Sequence, residues 1–178
     1  VRVYSRRGDD PRLQNTGFEA TAGEYFTEWS EYSNFTNVRA DPVASNARSG
    51  DGAVQMFGRF NGQASNNSGL FQELPAAEGD VFQVGAFARN RPGDALAGAS
   101  FAQIKLEFVN ANGQVIDAGR LRHTDASDHG YYEEHLLRRT APPGTAFARA
   151  VLELVQQNNA AGSVNYDDAT LRKVGATP

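Results

Sequence analysis

The sequence predicts an all-β fold, a β-sandwich jelly roll of two antiparallel sheets with a concave face. Three observations carry that prediction. Short segments alternate apolar and polar residues with a period of two. Turn-forming clusters of Gly, Pro, Asn and Asp separate them at regular spacing. No stretch holds a 3.6-residue apolar period for three turns. The clearest segment is 101–109, where Ala102, Ile104, Leu106 and Phe108 fall on one face and Gln103, Lys105 and Glu107 on the other. Asn110-Ala111-Asn112-Gly113 then reads as a hairpin turn, because its Asn-Gly pair tolerates positive φ.

The other elements follow the same logic. Residues 1–4, Val-Arg-Val-Tyr, alternate like a strand and lead into the polar run 5–11, a pattern expected of the end of a preceding domain and its linker. The chain opens without an initiator Met, as expected of a fragment or processed form. Segment 53–60 sets Val54, Met56 and Gly58 against Gln55, Phe57 and Arg59. Segment 70–74 runs into the turn-rich 75–80, and 81–89 sets Phe82, Val84, Ala86 and Ala88 against Gln83, Phe87 and Arg89. A strand over 131–140 is stopped by Pro142-Pro143-Gly144, and strands over 147–156 and 162–174 close the set. Along 147–156 two inward registers remain open, Val151/Val155 or Leu152/Leu154.

Bulk properties exclude several classes. With 178 residues and 40% hydrophobic content, the chain builds one well-buried domain and is not disordered. A net charge of −4, from 17 basic and 21 acidic residues, gives no electrostatic footprint for nucleic acid. No apolar run reaches the length of a membrane span, and no signal peptide is apparent. Without cysteine there is no disulfide framework and no thiolate chemistry.

Two acidic motifs stand near opposite ends of the chain: Asn15-Thr16-Gly17-Phe18-Glu19, and Val164-Asn165-Tyr166-Asp167-Asp168. A sandwich whose first and last strands are neighbours brings such carboxylates together, and a hard cation such as calcium is then expected to pin the chain ends. An adjacent Asp-Asp pair on a strand repels itself unless positive charge sits nearby, which favours an ion over two surface acids. The two motifs, with Ser49-Gly50-Asp51-Gly52-Ala53-Val54, Leu70-Phe71-Gln72-Glu73-Leu74 and Gly79-Asp80-Val81-Phe82 in that order, resemble carbohydrate-binding modules of families 4, 9, 16 and 22. The resemblance spans residues 12–175, with Phe82 standing where Tyr is usual and Tyr166 where Ile or Val is commoner.

That resemblance implies a structural calcium ion held by Glu19, Asp167 or Asp168, the Gly17 carbonyl and the Ser49-Gly50 loop. It implies a non-catalytic, monomeric module that binds a polysaccharide and targets an appended hydrolase, secreted from a bacterium. Val1–Tyr4 resembles the last strand of laminarinase- and agarase-like glycoside hydrolases, which places residues 1–11 at the end of a catalytic domain. β-1,3-Glucan is then the first expected glycan, with a red-algal galactan as the alternative. A non-binding spacer is the competing reading.

Sugar sites combine aromatic platforms with planar polar groups, and Phe57, Arg59, Phe87, Arg89 and Gln103 are expected to provide them. Phe57 and Phe87 have a second reading, packing beneath a covering loop. Arg59-Phe60 in the loop 58–67 resembles a xylan-binding loop with Phe60 on the ligand, and Gln156 stands where relatives carry a ligand-contacting Glu. Trp29 is read first as core and second as a sugar platform. His123, His129 and His135 lack a compact metal spacing, and 123–129 reads as a polar loop. Catalysis is not expected: Glu133 and Glu134 point to opposite faces, and no nucleophile motif is present.

Overall fold

The computed structural model describes residues 12–23, 25–33, 37–127 and 130–176; the segment 1–11 lies outside them. Twelve strands form among these residues: β1 (Thr21–Ala22), β2 (Tyr25–Phe26), β3 (Ser30–Ser33), β4 (Val38–Ala40), β5 (Val54–Phe57), β6 (Ser65–Pro75), β7 (Asp80–Asn90), β8 (Phe101–Val109), β9 (Val115–Thr124), β10 (Glu133–Thr140), β11 (Phe147–Gln157) and β12 (Ser163–Ala176). Two five-stranded sheets pack face to face, in the orders β10-β7-β12-β5-β4 and β3-β6-β11-β8-β9, with β1-β2 as a separate hairpin. Every strand pairing among the described residues is antiparallel. The expected all-β sandwich is therefore the observed fold.

Alternation decides which side of each strand is dry. Phe82, Val84, Ala86 and Ala88 from β7 meet Ala102, Ile104, Leu106 and Phe108 from β8, and all are buried in one core. The open register of β11 resolves in favour of Ala148, Ala150, Leu152 and Leu154 as core residues. Val151 and Val155 are also buried, but on the opposite face of that strand. Trp29 belongs to the core, against Phe18 and Phe26, with its indole N–H donating to the Asn15 carbonyl at 3.0 Å.

One boundary and one internal irregularity go beyond the expectation. β6 begins at Ser65, inside the segment expected to be a loop, because Ser65 to Ser68 pair with Gln157 to Leu154 of β11. A long partner strand thus overrides the turn preference of an Asn/Ser cluster. β12 carries a bulge between Asp167 and Thr170, with Asp168 at φ +48°. The bulge aims the two aspartates at the N-terminal loop.

Candidate functional site

The outer face of the β3-β6-β11-β8-β9 sheet carries the densest polar network among the described residues. Registry places Gly69, Glu153, Gln103 and Arg122 side by side across β6, β11, β8 and β9, and Phe71, Val151 and Lys105 in the next row. Tyr32 on β3 faces Gly69, where an added methyl would lie 3.3 Å from its ring. The missing side chain lets the tyrosine lean over the sheet. Its hydroxyl donates to Glu107 Oε1 at 2.8 Å, on β8, three strands away from β3.

Lys105 sits at the centre. Its ammonium donates to Tyr32 Oη at 3.0 Å, pairs with Glu153 at 2.7 Å and stands 4.6 Å from the Tyr32 ring centroid. Glu153 also accepts from Asn67 at 2.8 Å and from the Gln103 amide. Arg149 pairs with Glu73 at 3.0 Å and Glu107 at 3.6 Å while covering the Phe71 ring. Arg122 covers Phe101 in the same way. Burial alone would pull the Lys105 pKa down, but its bonds to Glu153 and Tyr32 outweigh that and hold it above the usual lysine value. Tyr32 is raised chiefly by burial.

This arrangement is costly as architecture. Glu153 and Glu107 are 1% and 3% exposed although they point away from the core. Pairing such charges roughly balances their desolvation and seldom exceeds what apolar residues would give. Gln103 Oε1 is buried and has no hydrogen-bond partner among the described residues, so an acceptor is left unsatisfied beneath this face. Half-buried aromatic rings, planar amides and fixed charges next to an unused acceptor suit a polyhydroxylated ligand.

The sequence-expected sugar residues do not share one groove. Phe57 and Phe87 lie on the outer face of the other sheet, where Arg39 stands 5.1 Å from the Phe57 centroid and Arg48 stands 3.4 Å from that of Phe87. Arg89 donates to the Asn46 carbonyl at 2.9 Å and stacks on Tyr132. The segment 39–48 thus covers these residues, the second reading that alternation had left open. Gln103 belongs to the polar network described above. Gln156 is 1% exposed at one end of the core side, where it accepts from Asn66 at 2.7 Å and donates to the Ala160 carbonyl at 2.8 Å. Arg59 and Phe60 lie on the loop between β5 and β6, with Phe60 half exposed at φ +52°.

Tyr32, Phe71, Asn67, Arg149 and Glu153 were missed. One signal was legible: Glu153 interrupts the apolar run Val151-Leu152-Glu153-Leu154-Val155, and a carboxylate in such a strand needs partners.

The acidic motifs do converge. A side chain on Gly17 would meet Glu19 Oε1 at 3.6 Å and the Oδ1 atoms of Asp167 and Asp168 at 3.9 Å each. Gly50, at φ +59°, leaves room for the Glu19 carboxylate. Ser49 takes part through its N–H to Asp167 at 3.0 Å and its hydroxyl to Asp168 at 2.8 Å. Arg48 pairs with Asp168, so part of the positive charge demanded by the adjacent aspartates comes from the protein. Burial, with the Asp168 charge adding, raises the Asp167 pKa against three backbone N–H bonds. Three carboxylates against one guanidinium leave surplus negative charge on hard oxygen donors, and this fits a calcium-type ion.

No family model and no curated protein matches the sequence. Solved structures do. A family 61 carbohydrate-binding module in complex with β-1,4-galactotriose is 19% identical, covering 90% of this chain and 97% of its own at a TM-score of 0.58. A family 22 xylan-binding domain from Paenibacillus barcinonensis is 17% identical, over 91% and 94%, at 0.56. A family 16 module is 20% identical, over 77% and 86%, at 0.52. The chain has the β-sandwich fold found in these carbohydrate-binding modules.

Proposed function

We propose that this domain is a non-catalytic glycan-binding module and that the outer face of the β3-β6-β11-β8-β9 sheet is its binding surface. The observation that carries the reading is the buried network of Tyr32, Gln103, Lys105, Glu107 and Glu153 on a face turned away from the core. Both carboxylates are engaged by cations and donors, so the arrangement suits hydrogen bonding to sugar hydroxyls rather than acid–base cleavage. Such a module raises the local concentration of an appended enzyme on its polysaccharide. The partner in that role is a covalently linked secreted bacterial glycoside hydrolase.

The glycan candidates are β-1,3-glucan, from the resemblance of the first residues to laminarinase-like enzymes, and β-1,4-galactan or xylan, from the ligands of structures with this fold. A red-algal galactan is the further alternative. Native electrophoresis through gels holding laminarin, β-1,4-galactan, xylan or agarose is expected to retard the domain in one of them. Tyr32→Ala is expected to abolish that retardation. Migration unchanged in every gel would favour a structural spacer. A second contact at Arg59 and Phe60 is supported by an aromatic ring held half exposed at positive φ. Loss of retardation in Phe60→Ala and not in Tyr32→Ala would transfer the site to that loop.

We also propose that Glu19, Asp167 and Asp168, with the Gly17 carbonyl and the Ser49-Gly50 loop, hold a structural calcium ion. Chelation is expected to lower the melting temperature by about 5–10 °C at calcium levels near 100 times Kd. Calcium should restore it where zinc does not, and Asp168→Asn should blunt the response. A melting temperature indifferent to calcium would assign Arg48 as the sole counter-charge.

A further inference from the structure

The two sheets leave an open side where β9, the edge of one, lies against β10, the edge of the other. The inward residues of these edges would ordinarily be apolar, as Leu121 and Leu137 are. One step further along stand His123 on β9 and His135 on β10, with Glu133 one step beyond His135. Their cross-strand partners are Ala102, Ala86 and Ala88, all core residues, so the three side chains point between the sheets. The two histidines are twelve positions apart in sequence, and only the stacking of the sheets brings them together.

The geometry points to a transition-metal site of the zinc type, formed by His123, Glu133 and His135, that clips the two sheets together along this side. One ligand atom from each residue lies within 4.8 Å of the other two. His123 Nδ1 is 3.4 Å and His135 Nε2 is 4.0 Å from Glu133 Oε2, and the imidazole centroids are 5.4 Å apart at 87°. Tetrahedral zinc places neighbouring ligand atoms about 3.3–3.5 Å apart, so the first distance matches and the second needs a small closure. Two imidazoles and one carboxylate form a donor set that zinc uses at three-ligand sites and that ferrous iron also accepts. The His123 side chain is 1% exposed, His135 13% and Glu133 28%. Access is thus from the Glu133 side, which leaves a position for water as fourth ligand. The site lies between the sheets, whereas the polar network occupies the outer face of the sheet that contains β9.

The test uses the whole domain, stripped of metal and supplied with calcium so that the acidic site is saturated. Zinc is titrated against a chromophoric chelator, and melting is followed in parallel. One equivalent of zinc should bind, with a rise in melting temperature of several degrees. His135→Gln and Glu133→Gln should each weaken binding at least tenfold while retaining the β-sheet circular dichroism. Cobalt in place of zinc gives a second readout, the visible bands of a four-coordinate ion, which should vanish in His135→Gln. Absence of a stoichiometric zinc complex in the unmodified domain would overturn the proposal. So would unchanged affinity in both variants.

Discussion

A Lys105→Met variant is expected to lose about 3–5 kcal/mol of stability, because it leaves the buried Glu153 carboxylate without its cation. The side chain lengths are similar, so little packing is lost. What disappears is the 2.7 Å ion pair to Glu153, the hydrogen bond to Tyr32 and the charge beneath its ring. Arg149 still serves Glu107, whereas Glu153 keeps only the Asn67 and Gln103 amides. Urea unfolding measures the loss, and glycan retardation should disappear in the same variant under conditions where it remains folded. A variant as stable as the parent would mean that solvent reaches Glu153. The double variant Lys105→Met with Glu153→Leu should regain much of the stability but no binding, separating the cost of a lone charge from the purpose of the pair.

The second large effect lies at alkaline pH. Tyr32, Tyr132 and Tyr166 all have raised pKa values, each with burial as the leading cause, and Lys105 is raised by its partners against burial. The folded protein therefore keeps these protons after the unfolded chain has lost them near pH 10, about the ordinary value for Tyr and Lys. The unfolded state then binds fewer protons, so stability falls as pH rises. Below that point the contribution is fully present. Each group costs about 1.4 kcal/mol per pH unit between its unfolded and folded pKa. Tyr166 is the strongest case: it is fully buried, and its single hydroxyl proton is shared between the Gln103 and Glu153 backbone carbonyls at 3.0 and 2.9 Å. Denaturant midpoints should hold level from about pH 7 to 9 and drop steeply above about pH 10. A level profile through that range would mean that the phenols ionise without unfolding.

Tyr166 links the two sheets in a way that bears on both predictions. It stands on β12 in one sheet and bonds the backbone of β8 and β11 in the other, at the residues whose side chains form the polar face. The core beneath the candidate site is thereby tied to the site itself.

Much of this domain was determined by local pattern. Period-two alternation fixed the inward faces of β7 and β8 residue by residue, since a strand offers only two faces and burial selects the apolar one. The acidic motifs meet because the N-terminal segment lies beside the last strand, the Thr16 carbonyl accepting from the Ala169 N–H at 3.0 Å. Tertiary structure alone decided which outward residues belong together. Gln55, Phe57, Phe87 and Arg89 share one sheet, while Gln103, Lys105 and Glu107 share the other, and alternation looks the same in both cases. Strand order decides neighbours, and it depends on long-range pairing that no local window contains. Covering segments such as 39–48, and the approach of β9 to β10 that unites His123 with His135, are likewise settled only when the sheets pack.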